Sequence, residues 1–385
     1  MSVSVENRRN RLRATTAAVL TVLLLVPFGL LFARYWDSVT ERRDQTVKER
    51  QGVEYVTRLL PLLSALAEGQ ATAVRGGKSA PPALREAVNG VTQIDQRLGA
   101  DLGTRERWAD LRTKIDELPR ATGGPAGILD AHIVVGDLLL GLFDAVRDKS
   151  RLDRDPDNDV SHLQEAIAGD LPEAVNQANR MADLSLLLAT AAAPVRQRLT
   201  PPFGASVQAV DDAVDALTEH LEESVTDTSS RTLSGNLIAP LDAFRRSIET
   251  LNRDVNPTDK PNAAALTVSR TALLQSLGGI NSTVLREMDG LLQQRLDDID
   301  ADRREAVLTA VAAGLIALLA LATAVGPVFR RRRPATATPG TGDRGPNRAN
   351  DVVAVPAYGH SLPDPVPPFG NPVPPTRREQ FGALR

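Results

Sequence analysis

The chain contains no cysteine, so it can hold no disulfide and offers no thiolate to a metal or a substrate. Aromatic residues make up only 3% of it, too few for the aromatic and β-branched strands of a sandwich, and no stretch of useful length alternates apolar with polar residues. Histidine is scarce: His132, His162, His220 and His360 are the four. They form no His-x-x-x-His and no Glu-x-x-His pair, so spacing predicts no metal ligands and no resident cofactor. Serine, histidine and aspartate all occur, but nothing in their spacing gathers them, and paired acids such as Asp211-Asp212 and Glu222-Glu223 read as solvated helix faces. No catalytic residue is predicted, and the chain is not read as an enzyme.

A basic face is missing too. The formal net charge is −3, and its distribution is uneven. Met1–Arg13 carries Arg8, Arg9, Arg11 and Arg13 against Glu6, and Arg330–Arg385 carries nine arginines against four acids. The long middle is therefore acidic, which argues against nucleic acid as a partner. It fits a domain outside the cytoplasm flanked by positive-inside ends.

What the chain has is long apolar runs. Ala306–Phe329 contains no charged residue and is followed at once by Arg330, Arg331, Arg332 and Arg333. At about 1.5 Å per residue such a run crosses a hydrocarbon core of about 30 Å, and the arginines hold their end in the cytoplasm. A second run, Ala14–Ala33, follows the basic segment 1–13 and is extended to residue 36 by Tyr35 and Trp36, which suit a membrane interface. A cleaved signal peptide is the competing reading, but Leu-Phe-Ala-Arg-Tyr-Trp offers no small-x-small site. Pro27 and Gly29 predict a bend in this helix. On the second run, Ala306, Ala310 and Gly314 form a small-residue ridge, continued by Ala313 and Ala317, that suits packing on the first span or on a second copy.

Between the runs, residues 37–305 repeat apolar positions at three- and four-residue spacing, the period of packed helices. The stripes are Val56–Leu66, Leu84–Leu98 extended by Trp108–Leu118, Ile128–Val146, Leu163–Met181, Val207–Leu221, Leu237–Val255 and Leu266–Leu292. Breaks are predicted at Gly76-Gly77 with Pro81-Pro82, at Gly123-Gly124-Pro125, at Asp155-Pro156, at Pro194 with Pro201-Pro202, and at Asn256-Pro257. A softer turn is predicted at Thr226–Ser230 with Ser234-Gly235. The expected architecture is all-α: two transmembrane helices (14–36 and 306–329) flanking an antiparallel, coiled-coil-like extracytoplasmic bundle of about seven helices. That length has room for two stacked four-helix bundles. After Arg333 the composition changes. Pro334–Arg385 holds eleven of the 26 prolines and no apolar period, so residues 330–385 read as a basic juxtamembrane segment with a disordered, proline-rich cytoplasmic tail. In that tail Pro365–Pro368 and Pro372–Pro375 both read Pro-Val-Pro-Pro, a preformed polyproline II ligand for a cytoplasmic partner or a plain spacer. The arginines beside the membrane attract anionic lipids.

Gly52–Leu66 (GVEYVTRLLPLLSAL) and Asp148–Glu165 (DKSRLDRDPDNDVSHLQE) together resemble a sensor region found outside the membrane in bacterial chemoreceptors, sensor kinases and diguanylate cyclases. The second stretch carries that family's D-x-S-x-L-x-x-D-P-x-x-D pattern. The resemblance implies an all-helical periplasmic sensor that passes motion through its second membrane helix. The chain departs from the family at Gly69-Gln70-Ala71, where His-Arg-Gly is usual, and at Ser161-His162, where an aromatic pair is usual. No kinase, cyclase or methyl-accepting hairpin follows Arg333, so the resemblance implies signalling through a partner.

Candidate ligand groups are few. Asp153, Asp155, Asp157 and Asp159 alternate like half a calcium loop, but positions six and twelve are Asn158 and Gln164 instead of glycine and glutamate. Turn formation and helix capping are expected of them instead. Arg58, Arg75 and Arg245-Arg246 suit an anionic metabolite between helices or, more simply, surface ion pairs. His132, on an apolar stripe, reads as a hydrogen-bonded core or loop histidine. Sequence alone leaves the ligand-binding residues unknown. It points to a membrane-anchored, sensor-like or signalling-accessory protein of the cell membrane with both termini cytoplasmic, acting as a homodimer or with a membrane partner. The other reading is an envelope scaffold with no small-molecule ligand.

Overall fold

Proline ordinarily ends a helix, because it removes a donor and crowds the preceding turn, yet α1 (Ser2–Val74) runs unbroken through Pro27 and Pro61. The computed structural model describes residues 2–77, 82–228, 231–254 and 262–330. The expected break at Asn256-Pro257, the proline-rich tail with both Pro-Val-Pro-Pro copies, Arg331–Arg333 and His360 lie outside the described residues. Among those described, all regular structure is helical. After α1 come α2 (Pro82–Leu98), α3 (Arg105–Glu117) and a 3₁₀ turn at Leu118–Arg120, then α4 (Gly124–Ser150) and α5 (Asn158–Glu165). A π-helical turn at Ala166–Asp170 leads into α6 (Leu171–Thr190), followed by α7 (Ala193–Asp227), α8 (Arg231–Asp254) and α9 (Ala263–Arg330).

The predicted stripes are the buried faces. Val56, Leu59, Leu63, Val91, Leu111, Leu139, Leu163, Leu217, Phe244 and Leu277 all fall in one continuous apolar cluster that draws on every helix from α1 to α9. Most of the bundle therefore shares one continuous apolar core. Helices α1, α6 and α9 pack on one another at the centre, α4 on α1 and α6, α2 on α1, α3 on α4, α7 on α5 and α6, and α8 on α9.

Three breaks differ from expectation. The stripe read as continuous from Leu84 to Leu118 is cut at residues 99–104, where Gly103 takes φ +62°. The buried Asp95 carboxylate holds that turn by accepting from the Thr104 hydroxyl at 2.6 Å and the Tyr55 hydroxyl at 2.9 Å. Pro201-Pro202 does not break α7. The carbonyls these prolines leave unpaired, on Gln197 and Arg198, belong to exposed residues and keep water as a partner, which lowers the cost. Ser234-Gly235 lies inside α8. The breaks at Gly76-Gly77, at Gly123-Gly124 and around Asp155-Pro156 stand where expected, with Gly76, Gly123 and Gly124 at positive φ.

Helices α1 and α9 run antiparallel. Arg43 meets Asp300 at 3.0 Å and Arg50 meets Asp289 at 3.1 Å. Further along, Arg303 lies 4.7 Å over the Trp36 ring, which stacks on Phe32. These exposed pairs add little energy, but they fix the register of the two helices. Among the described residues, three helices are long and apolar enough to cross a membrane: Val19–Val74, Gly124–Ser150 and Ala263–Thr323. In the first and third, the most apolar stretch has 0% of its residues buried; in Gly124–Ser150 the figure is 39%. Leu23, Leu24, Leu30, Leu308, Ile316 and Leu319 are all more than half exposed. The ridge of Ala306, Ala310, Ala313, Gly314 and Ala317 is the half-buried side of α9, and Ala306 and Ala310 share a cleft with Phe28, Phe32 and Tyr35 of α1.

Candidate functional site

Two features of the bundle put charge where the helical period calls for leucine. The first is a cavity of about 320 Å³ bounded by α1, α6 and α9. Its walls are mostly apolar, with Leu60, Leu63 and Ala67 from α1, Val175 from α6, and Leu274 and Leu277 from α9. Arg270, Arg75 and Glu68 supply the charged lining, with Ser64, Thr271, Gln275 and Asn281 as its neutral polar groups. Arg270 sits one turn after Leu266 and just before Leu273, on the core stripe of α9, and is buried. Its Nη1 donates to Asn179 Oδ1 at 2.7 Å, while its Nε is buried without a partner. Asn281 Oδ1 likewise lacks a partner.

Behind Arg270, Gln70 Nε2 donates to Asp183 Oδ2 at 2.9 Å, both residues buried. Burial raises the Asp183 carboxyl above its usual range, opposed by the Gln70 hydrogen bond and the charges of Arg270 and Arg75. Burial in turn weakens the hold of Arg270 on its proton, with Asp183 opposing. Two guanidiniums, Arg270 with an unused donor and Arg75, set against Asp183 and Glu68 around a mostly apolar chamber, suit a small organic anion with an apolar body that takes the free Arg270 donor.

The second feature is an ion cluster nearer the apolar ends of α1 and α9. Arg295 of α9 donates to both oxygens of Asp155, at 2.8 and 2.9 Å, to Asp157 Oδ2 at 2.6 Å and to Glu49 Oε2 of α1 at 3.2 Å. Glu49 and Asp155 have fully buried side chains. Gln164 donates to Asp155 at 3.2 Å and Gln45 to Glu49 at 3.0 Å. The loop between α4 and α5 is thereby strapped across the α1–α9 pair. Beside it the two sequence stretches with family resemblance meet: Gly52 packs so closely on Ser150 that an added Cβ would lie 2.1 Å from the hydroxyl oxygen.

Burial, and then the charge of Asp155, raise the Glu49 carboxyl from its ordinary 4.5 to about 7, with Gln45 and Arg295 opposing. The folded state therefore keeps a proton that the unfolded chain releases. Stability from this group is complete below about pH 4.5 and is lost as pH rises through about 7. Glu49→Gln removes that loss. Between about pH 5 and about pH 8 the thermal midpoint of the wild type is expected to fall further than that of Glu49→Gln, and parallel profiles would contradict the assignment.

The four alternating aspartates diverge. Asp155 and Asp157 serve Arg295, Asp159 accepts from the Val160 amide and the Thr228 hydroxyl, and Asp153 pairs with Arg154. Asp155 also accepts from the Asp157 amide at 2.8 Å, which closes the turn before α5. Of the predicted arginines, Arg75 lines the cavity and Arg58 a separate groove between α1 and α9, Arg245 pairs with Glu222, and Arg246 is exposed. His132 is buried with Nε2 unpartnered, and desolvation lowers its pKa to about 4. Arg270, Arg295, Glu49 and Gln70 escape a motif search, but each interrupts an apolar stripe at the helical period, and that was the available signal. Comparison with protein-family models, curated proteins and solved structures gives no match.

Proposed function

We propose that this is a membrane-anchored, sensor-like protein whose helical bundle takes a small organic anion, of the carboxylate class, between α1 and α9. In this reading the apolar parts of α1 and α9 are the two membrane spans. Residues 37–305 stand outside the cytoplasm and both chain ends lie inside. Helix α4 is a core helix, because Leu129, Val135, Leu139, Leu142 and Val146 are already buried within the bundle.

One observation carries the proposal. The two helices that bear the exposed apolar bands continue without interruption into the bundle, and there they form two of the three walls of the cavity. A ligand that prefers one spacing of α1 and α9 biases that spacing at the membrane as well, in proportion to its difference in affinity for the two states. The signal then passes to protein partners. The resemblance of Gly52–Leu66 and Asp148–Glu165 to bacterial sensor regions points the same way.

Thermal unfolding of the full chain in lipid nanodiscs, against panels of organic acids, amines and inorganic oxyanions, tests this reading. A ligand specific for the folded state adds about 2.7 kcal/mol at a hundred times its Kd. Organic acids are expected to raise the midpoint while amines leave it unchanged. If no class moves it, the envelope-scaffold reading replaces the sensor.

A further inference from the structure

Away from the cavity, the fold gathers two histidines that the sequence separates by more than fifty residues. His162 of α5 and His220 of α7 stack with ring centroids 5.8 Å apart. Glu223, one turn after His220 on α7, places Oε2 3.1 Å from His162 Nδ1. Ligand atoms of His162, His220 and Glu223 all lie within 4.8 Å of one another. Asp227 Oδ2, a further turn along α7, is 3.9 Å from His162 Nε2.

The second observation lies behind His220. Its Nδ1 is 2.6 Å from Asp170 Oδ2, whose side chain is only 12% exposed. A carboxylate held on Nδ1 fixes the imidazole tautomer and turns Nε2 outward as a lone-pair donor, the arrangement that supports metal-bound histidines. The π-helical turn Ala166–Asp170 makes this possible. In an unbroken α-helix, residues 162 and 170 would point about 80° apart; absorbing one extra residue in the π turn brings them within about 20°. Both then face α7. A π turn costs hydrogen-bond geometry, and here it aligns a histidine and the partner of a second histidine on one helix face.

We propose that His162, His220 and Glu223, with Asp170 orienting His220, form a site for a divalent first-row transition ion of the zinc class. Two imidazoles with a carboxylate match zinc and its neighbours, whereas calcium and magnesium take oxygen alone. The 3.1 Å between His162 and Glu223 is already near the roughly 3.3 Å between ligands of a tetrahedral zinc. Small shifts of the His162 and half-exposed Glu223 side chains toward His220, which Asp170 holds, close the rest. The acids Asp215 and Glu219 lining the same groove raise the local cation concentration. The bound ion would clamp α5 to α7.

The test uses the full chain purified without a polyhistidine tag, stripped with chelator and held in nanodiscs. Cobalt(II) is titrated and followed by its visible d–d absorption, then zinc is added. The expected result is a band that saturates at one equivalent and disappears on zinc addition. Calorimetry with zinc should then show at least tenfold weaker binding for the His162→Ala/His220→Ala double variant. For Asp170→Asn it should show a loss of about 10–100-fold, with Asp116→Asn, exposed on α3 away from the groove, unchanged. Absence of the cobalt band in the unmodified chain overturns the site whether or not any variant folds. Zinc affinity of the double-histidine variant within threefold of the parent overturns it as well, since the groove acids alone would then hold the ion. Unchanged affinity in Asp170→Asn overturns the orienting role.

Discussion

Replacing Arg295 by alanine is expected to destabilise the folded bundle by about 3–5 kcal/mol, the cost of breaking a buried ion pair from one side. The magnitude follows from what is left behind. Glu49 and Asp155 have fully buried side chains, and without the guanidinium two carboxylates face each other with neutral donors alone, Gln45, Gln164 and the Asp157 amide. Desolvated like charges at that spacing cannot both stay ionised, so one takes up a proton and the α4–α5 loop loses its bidentate anchor. Arg295→Lys keeps the charge but not the fork, and should recover only part of the loss. In Glu49→Gln/Asp155→Asn the same Arg295→Ala change should cost far less, because no buried charge is then orphaned. For a bundle of this size the single change should lower the thermal midpoint by roughly 10 °C. A shift of a degree or two would mean that water reaches the cluster and screens it.

The second large effect concerns ligand response. Arg270→Met is expected to abolish the organic-acid stabilisation, a loss of about 2.7 kcal/mol at a hundred times the parent Kd, while costing the unliganded fold about 1–3 kcal/mol for the buried Asn179 carbonyl left without its donor. Methionine roughly preserves the length and apolar stem of the side chain. Asp183, left without that cation, still accepts from Gln70 and can protonate, since burial already raises its carboxyl. Arg75 is exposed, so Arg75→Met should weaken the response only modestly. An organic-acid shift of undiminished size in Arg270→Met would place the ligand elsewhere.

Much of this architecture could be read from spacing. The stripes of Val56–Leu66, Leu163–Met181 and Leu266–Leu292 are the core because a run that repeats at the helical period has only one face to bury. Gly76, Gly123 and Gly124 end or begin helices where a positive φ is needed. Pro201-Pro202 misled because the cost of proline depends on whether the freed carbonyls keep water, and exposure is a tertiary property. The polar sites were less legible for a related reason. A lone arginine in an apolar stripe, such as Arg270 or Arg295, looks like noise until its partner is known. Those partners, Asn179 and Asp155, lie 91 and 140 residues away. His162 and His220 meet only because the π turn rephases α5 against α6, and nothing in the composition of Ala166–Asp170 marks a π turn in advance.

The central claim is that α1 and α9 cross the membrane and that everything between them, α4 included, stands on one side. The chain has no cysteine, so single cysteines can be introduced without a background. Asp116→Cys in α3, Asp212→Cys in α7 and Asp242→Cys in α8 report on either side of Gly124–Ser150, while Ser4→Cys and Thr376→Cys report on the two chain ends. Labelling of intact cells with a membrane-impermeant maleimide should modify the first three and spare the last two until the membrane is opened. If Asp116→Cys and Asp212→Cys label on opposite sides, Gly124–Ser150 spans the membrane and the bundle described here is not the folded state.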